Sequence, residues 1–271
     1  MLKTNSFIKL KSSSKINLAL WIKEKREDDY HDIETIFFEN NNLQDDIEIE
    51  YQESKNLEIE VNFKQIHLNN IIPKEKNLAY KAVKLFLERI NRNGKIKIII
   101  DKKISMEAGL GGGSSNAASV LKGLNKISAN VLSQEDLLEL TLILGSDVPF
   151  FIIGGTCLGL GRGEILSPLE NRLKLDIKIV KPENISVSTK WAYEQIDSRE
   201  FLPDHKLEIN NLTNSIKTGN KDLFLKNVFN DFESVVFSYY PELINIRKQL
   251  LQEGYKVSGL CGSGSAMFGI R

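Results

Sequence analysis

The chain has 271 residues, and its 36 Lys and Arg balance 36 Asp and Glu. A formal charge of zero argues against a polycation working on nucleic acid or an anionic membrane. The length and an apolar share of 41% suit one large domain or two lobes with cores of their own.

Two separated cysteines, three scattered histidines and no apolar run of membrane-spanning length leave no sign of a disulfide framework, a metal-ligand spacing or a membrane span. Met1-Leu2-Lys3-Thr4-Asn5 lacks the apolar stretch of a signal peptide, so a cytoplasmic chain with both thiols buried is expected.

Ser6–Lys11 and Ile16–Ile22 read as two strands around a serine turn, Ser12-Ser13-Ser14. Lys15 and Asn17 follow that turn, where a lysine is ordinarily solvated. The polar loop Lys25–His31, with Tyr30 and His31 at its end, leads into a strand at Ile33–Phe38. Ile47–Tyr51 and Leu57–Phe63 alternate polar and apolar residues and read as an antiparallel pair with one wet face. Asn77 opens a helix running to about Asn91, with Gly94 as its stop.

Lys95–Asp101 is a β-branched strand with Lys102 just beyond it, and the run Met106–Ala118 follows, with glycines at 109, 111, 112 and 113. A helical pattern resumes at Ala117. The glycines therefore lie on a strand-to-helix turn, where backbone N–H groups can converge. Ser114 and Ser115 open the helix, whose orphan N–H groups and positive dipole end favour an anion. The physical reading is a phosphate cradle. It is not a Walker loop, which needs a terminal Lys, nor the dinucleotide fingerprint, because Ser114 stands at the third glycine.

Ser133 with Asp136 marks the next helix start, and Leu137, Leu138, Leu140 and Leu144 form its buried stripe. Asp147 then precedes Val148-Pro149, a common place for a turn or capping aspartate. Gly154 to Gly163 gives a strand and a Gly-Arg-Gly hairpin, where a second lobe begins. Leu173–Val180 reads as a buried strand. Thr189 and Tyr193 share one helical face in Val187–Tyr193. Asp222–Tyr240 and Pro241–Glu253 read as two amphipathic helices, and Val257–Phe268 carries a Gly-Ser-Gly core.

The run Gly109-Leu110-Gly111-Gly112-Gly113-Ser114-Ser115-Asn116-Ala117-Ala118 closely resembles motif two of the GHMP kinases (galactokinase, homoserine, mevalonate and phosphomevalonate kinases). Ser14-Lys15-Ile16-Asn17-Leu18 is similar to motif one of that family, and Val257–Phe268 to motif three. Within that family the glycine run is most similar to the branch that acts on 4-diphosphocytidyl-2-C-methyl-D-erythritol, and Tyr30-His31, Gly145–Phe150 and Val187–Tyr193 resemble patterns of that branch. Departures are Ser105 in place of Pro, Asp29 in place of Gly, and Leu260-Cys261 within motif three. Relatives normally carry one more helix and strand after the position of Arg271.

The resemblance implies an α+β, two-lobed GHMP kinase fold. A lobe like ribosomal protein S5 domain 2 would cover 1–155 and bind ATP, and an α/β lobe would cover 156–271. It implies Lys15 and Asp147 as catalytic residues. It assigns ATP to Ser105, Met106, Glu107, Ala108, Gly109, Leu110, Gly111, Gly112, Gly113, Ser114, Ser115, Ser263 and Gly264, with Asn77 and Lys102 near the adenine. Asn17, Tyr30, His31, Thr189 and Tyr193 would bind CDP-methylerythritol, with Tyr30 and Tyr193 stacking on cytosine from two lobes. Mg²⁺ is expected to come with ATP through Ser114 or Ser115, its carboxylate ligand unidentified. No nucleic-acid or membrane partner is expected, and a monomer or weak homodimer is. The alternatives are a homoserine- or mevalonate-type kinase and a nucleotide-binding relative without turnover.

Overall fold

The structure, a computed structural model, describes residues 5–69, 71–199 and 203–271. Met1–Thr4, where a leader would begin, lie outside the described residues. Contacts divide the chain into two compact units. The first holds the residues up to Ser14, Asn41–Ile104 and Gly111–Ile153; the second holds Lys15–Asn40, Ser105–Leu110 and Gly154–Arg271. The units are interleaved in sequence, unlike the contiguous spans 1–155 and 156–271. The cause is two long strands, β1 (Asn5–Lys25) and β2 (His31–Glu53), which pass from one unit into the other.

β1 corrects the expected serine turn: Ser12, Ser13 and Ser14 are extended and buried. Serine suits a strand interior when its hydroxyl has a partner. Ser12 Oγ donates to Ser115 Oγ (2.6 Å) and Ser13 Oγ to Asn41 Oδ1 (2.7 Å). In the same way, the separate strands expected at Ile33–Phe38 and Ile47–Tyr51 are both part of β2.

In the first unit the strand order is β3 (Glu58–Phe63), β4 (Gly94–Asp101), β2, β1. The expected antiparallel pairing of β3 with β2 is therefore not present. β4 lies between them, antiparallel to β2 (Ile49 opposite Ile98) and parallel to β3 (Ile59 opposite Ile96). A parallel pair needs a crossover, and α1 (Leu78–Arg89) supplies it. Gly94 is the first residue of β4 rather than a helix stop. A Cβ there would lie 2.4 Å from the Tyr51 ring. The other helices are α2 (Gly112–Ile127), α3 (Gln134–Leu144) and α4 (Val148–Ile153). α3 starts in the expected capping box of Ser133 and Asp136. Ala82, Val83 and Phe86 of α1 and Ala118, Leu121 and Leu124 of α2 are fully buried and fill the core with Ile47, Ile49 and Ile98 of the sheet.

In the second unit β5 (Thr156–Leu160) pairs with β2 and makes the expected hairpin with β6 (Ile165–Pro168). A three-stranded sheet has the order β7 (Ile177–Val180), β10 (Met267–Ile270), β9 (Val257–Leu260). The expected strand at Leu173–Val180 shortens to β7. The helices are α5 (Thr189–Asp197), α6 (Lys206–Thr218), α7 (Lys221–Lys226), α8 (Glu233–Tyr239) and α9 (Glu242–Gln252). The helix expected over Asp222–Tyr240 is broken by β8 (Phe229–Asn230), which lies parallel to β1. The Asn230 amide accounts for the break: it donates to the carbonyls of Leu260 and Gly262 at 2.9 and 2.8 Å.

Candidate active site

The glycine run divides between the two units after Leu110. In the first unit, Gly111 caps α2 at φ +68°, a left-handed conformation that favours glycine. Gly112, Gly113 and Ser114 make the first turn, whose N–H groups have no acceptor within the helix. A Cβ on Gly112 would lie 2.8 Å from Lys102 Nζ and 2.9 Å from Ile104 Cγ2; one on Gly113 would meet nothing within 4 Å. Gly112 thus packs inward, while Gly113 fronts open space.

Behind this turn lies a buried polar cluster. Asp45 Oδ2 accepts from Lys102 Nζ (2.5 Å) and Asn116 Nδ2 (2.8 Å). Asp45 Oδ1 accepts from the N–H groups of Lys103 (2.7 Å) and Ile104 (2.8 Å). Asn116 also donates to Ser12 Oγ (3.0 Å), which in turn reaches Ser115. Burial lowers the Lys102 pKa, and Asp45 opposes that shift. Lys102 is held beneath the glycine turn rather than presented at the surface. Asn77 acts locally, because its side chain accepts from Ala79 N (2.9 Å) and caps α1. Asp147, half-buried, immediately precedes α4.

Sequence reading missed Asp45, Ser12 and Asn116. Asp45 lay outside the strand read at Ile47–Tyr51, Ser12 was read in a turn, and Asn116 stood inside the glycine motif with no role of its own. Removing Asp45 would leave a buried ammonium unpaired, a change that typically costs about 3–5 kcal/mol. Asp45→Ala is therefore expected to unfold at much lower denaturant than the wild type. A midpoint equal to wild type would show that the cluster carries no stability.

In the second unit, Lys15 is buried with only 5% of its surface exposed. Its N–H donates to Leu110 O (2.9 Å), and its Nζ donates to Asn17 Oδ1 (2.8 Å). Asn17 Nδ2 donates to Thr35 Oγ1 (2.8 Å). Asn17, expected to hold substrate, is itself buried and occupied by these two partners.

The first half of the glycine loop packs on the turn between β9 and β10. A Cβ on Gly109, at φ +74°, would sit 1.7 Å from Cys261 O. Ala266 N donates to Ala108 O (3.3 Å). Ala108 and Leu110 are buried, Met106 is half-buried, and Ser105 and Glu107 are exposed. Glu107 adopts φ +52° and its carboxylate accepts from Ser186 Oγ (3.4 Å). Gly264, at φ +92°, donates its N–H to Cys261 O (2.8 Å). Ser263 Oγ and Thr189 Oγ1 are hydrogen-bonded at 2.8 Å. Burial pushes the Cys261 thiol up to about 12, against the pull of the Lys15 charge. Both cysteines are free and buried, as expected.

The two tyrosines are placed differently from the expected pair of stacking rings on two lobes. Both belong to the second unit. Tyr193 packs on the core of that unit, stacked on the His31 ring (centroids 4.7 Å, 14°) and edge-on to Phe232 (4.9 Å). Tyr30 is exposed, with the Arg162 guanidinium 4.9 Å over its ring. His31 thus lies against one face of the Tyr193 ring, which was expected to stack on cytosine. His31 Nε2 meets Asp197 Oδ1 at 2.6 Å, and Asp197 Oδ2 accepts from Lys25 Nζ at 3.1 Å. Burial would raise the Asp197 pKa, but these two partners outweigh it and the carboxyl ends below its ordinary value.

Among the described residues, no group of three or more His, Cys, Asp or Glu side chains could hold a metal ion.

Models of two families match the chain: the GHMP kinases N terminal domain over residues 77–155 and the GHMP kinases C terminal over residues 212–270. The 4-diphosphocytidyl-2-C-methyl-D-erythritol kinase of Thermodesulfovibrio yellowstonii is 37% identical over 264 residues, covering 96% of this chain and 88% of the relative. A crystal structure of 4-(cytidine 5'-diphospho)-2C-methyl-D-erythritol kinase matches with a TM-score of 0.77 at 31% identity, over 97% of this chain and 90% of the other. Homoserine kinase from Cytophaga hutchinsonii matches with a TM-score of 0.76 over 100% of this chain and 86% of the other, but at 18% identity it shows the fold alone.

Proposed function

We infer from membership of the GHMP kinases, and within them of the 4-diphosphocytidyl-2-C-methyl-D-erythritol kinase family to which this chain belongs, that the protein phosphorylates that alcohol. It is an ATP-dependent phosphotransferase with the GHMP kinase fold. The reaction moves the γ-phosphoryl group of ATP to the tertiary 2-hydroxyl of 4-diphosphocytidyl-2-C-methyl-D-erythritol and releases ADP. It belongs to the non-mevalonate route to isoprenoids. The observation that supports the chemistry best is Lys15: a buried ammonium anchored through its own N–H to the glycine loop.

Catalysis of phosphoryl transfer is mostly positioning and charge compensation. The N–H groups of Gly112, Gly113 and Ser114 would hold phosphate oxygens, and open space at Gly113 leaves room for close approach. Ser105–Leu110, Ser263 and Gly264 are further proposed ATP residues, and Asn77 and Lys102 are proposed to lie near the adenine. Lys15 would offset charge developing on the acceptor oxygen. Asp147 would take the proton of that hydroxyl. Asn17, Tyr30, His31, Thr189 and Tyr193 are the proposed substrate residues, with Tyr193 backing the His31 ring.

Mg²⁺ fits this residue set. It keeps most of its waters and binds chiefly through phosphates, so it needs no preformed carboxylate cage. Ser114 or Ser115 would be its protein ligand, Ser114 being the more exposed while Ser115 Oγ already accepts from Ser12, and the ion would there supply neutralisation of charge on the transferred group. The sequence domains we propose remain 1–155 for the ATP-binding lobe and 156–271 for the second lobe. The first border agrees with the end of the matched N-terminal family model at residue 155. We place the protein in the cytoplasm as a monomer or weak homodimer, free of nucleic acid and membrane; no helix among the described residues is long and apolar enough to cross a membrane.

The test is ADP release from ATP and Mg²⁺ with each of three alcohols. CDP-methylerythritol is expected to drive release, and homoserine and mevalonate to leave it at the background rate. Faster release with either of those two would reassign the substrate. No release with any alcohol would leave a nucleotide-binding relative.

A further inference from the structure

Thr35 is buried at 0% exposure, belongs to no motif noted in the sequence, and sits at the end of a polar chain that leads to Lys15. Its Oγ1 donates to Ala19 O at 2.6 Å and accepts from Asn17 Nδ2 at 2.8 Å; Asn17 Oδ1 accepts from Lys15 Nζ at 2.8 Å. The polarity of this chain is set by its far end. A backbone carbonyl can only accept, so the single hydroxyl proton of Thr35 is committed to Ala19. The hydroxyl oxygen can then only accept from Asn17. The amide must turn its NH₂ toward Thr35, which aims its oxygen at the ammonium. The reverse orientation would set N–H against N–H at Lys15. Strand pairing holds the Thr35 side chain in this pose. Thr35 lies opposite Gly159 in β5, where a Cβ would meet Phe37 Cε2 at 2.9 Å and Thr35 Cγ2 at 3.2 Å, so the Thr35 methyl packs closely against the glycine.

We propose that Thr35 is a positioning residue for Lys15, orienting the Asn17 amide so that its oxygen fixes the ammonium where the acceptor hydroxyl reacts. This rests on the reading of Lys15 as the charge-compensating group of the kinase. A purely structural bond between β1 and β2 would affect stability and leave the chemical step intact.

The test compares kcat and both KM values for Thr35→Val, Thr35→Ser and Thr35→Cys. Thr35→Val keeps the shape and removes the hydroxyl. Its kcat is expected to fall by about ten- to a hundredfold, the scale of a misplacement of about 1 Å, with KM for ATP unchanged. Thr35→Ser is expected to restore kcat. In a Lys15→Met background, Thr35→Val is expected to add no further loss. If Thr35→Val does not fold, Thr35→Cys reads the same point, because a thiol is a weak acceptor and kcat should again drop. A folded Thr35→Val (or Thr35→Cys in its place) with wild-type kcat would overturn the proposal, as would an equal loss from Thr35→Val with and without Lys15. Failure of the kinase reading is distinguishable: the wild type itself would then release no ADP with CDP-methylerythritol.

Discussion

Asp147→Asn is expected to leave ATP bound and to cut turnover by about a hundredfold or more, the usual size of an acid–base contribution. Asparagine keeps the shape of the side chain at the entry to α4, so the turn and the helix should persist. What it lacks is a lone pair able to take the proton of the acceptor hydroxyl. Lys15→Met is expected to produce a loss of similar size for the opposite reason. It preserves the buried aliphatic stem and removes the charge. ADP release at saturating substrates reads the loss, and calorimetric ATP titration shows whether the nucleotide site survives. Near-normal turnover in Asp147→Asn would reduce that residue to a turn aspartate.

Gly109→Ala should damage the fold itself, whereas Gly113→Val should damage only the ligand site. At Gly109 a methyl group would land 1.7 Å from the Cys261 carbonyl oxygen, a backbone atom that cannot swing aside as a side chain would. The φ of +74° adds a further penalty for any residue with a Cβ. Overpacking of about 1–3 kcal/mol and left-handed strain of about 1–2 kcal/mol together approach a large part of the stability of a typical domain. A broad or strongly lowered melting transition is the expected result. At Gly113 a side chain meets nothing within 4 Å, so the melt should stay near wild type while ATP affinity falls. Unchanged affinity in a folded Gly113→Val would remove the α2 turn from the phosphate site.

The parts of the molecule legible in the sequence share one property: their signals are local. The capping box of Ser133 and Asp136, the Asn77 helix start and the Gly161-Arg162-Gly163 hairpin each depend on neighbours a few residues apart. The glycine run was legible for the same reason. What the sequence hid depends on partners far along the chain. Ser12-Ser13-Ser14 reads as a turn because serine favours turns, yet Ser115, 103 positions later, completes its hydrogen bonding and keeps it extended. β3 and β2 both alternate, but alternation cannot reveal that β4 separates them. α6 was not read as an element from the sequence, because Asn210, Asn211, Thr213 and Asn214 dilute it; it forms around buried Ile209, Leu212 and Ile216, which stand at helical spacing.

The candidate site divides along the same line. Lys15 and Asp147 could be named through motif resemblance, whereas the groups that hold Lys15 could not. Thr35 and Asn17 meet only because β1 and β2 run side by side. Tyr193 was expected to stack on a base, but His31, 162 residues earlier in the chain, lies against its ring. Helical spacing alone could not show which partner the ring would find.

The central claim, transfer of the ATP γ-phosphoryl group to the tertiary 2-hydroxyl, is tested most directly by the proton-coupled phosphorus-31 spectrum of the product formed from CDP-methylerythritol. A tertiary carbinol carbon carries no hydrogen, so a phosphate on it shows no three-bond coupling to a carbinol proton. The predicted result is one new, unsplit phosphomonoester resonance, growing in step with ADP while the signals of the cytidyl diphosphate bridge keep their intensity. A new resonance split by carbinol protons would place the phosphate on another hydroxyl. ADP formed with no new ester signal would show hydrolysis instead of transfer. Either result would contradict the account.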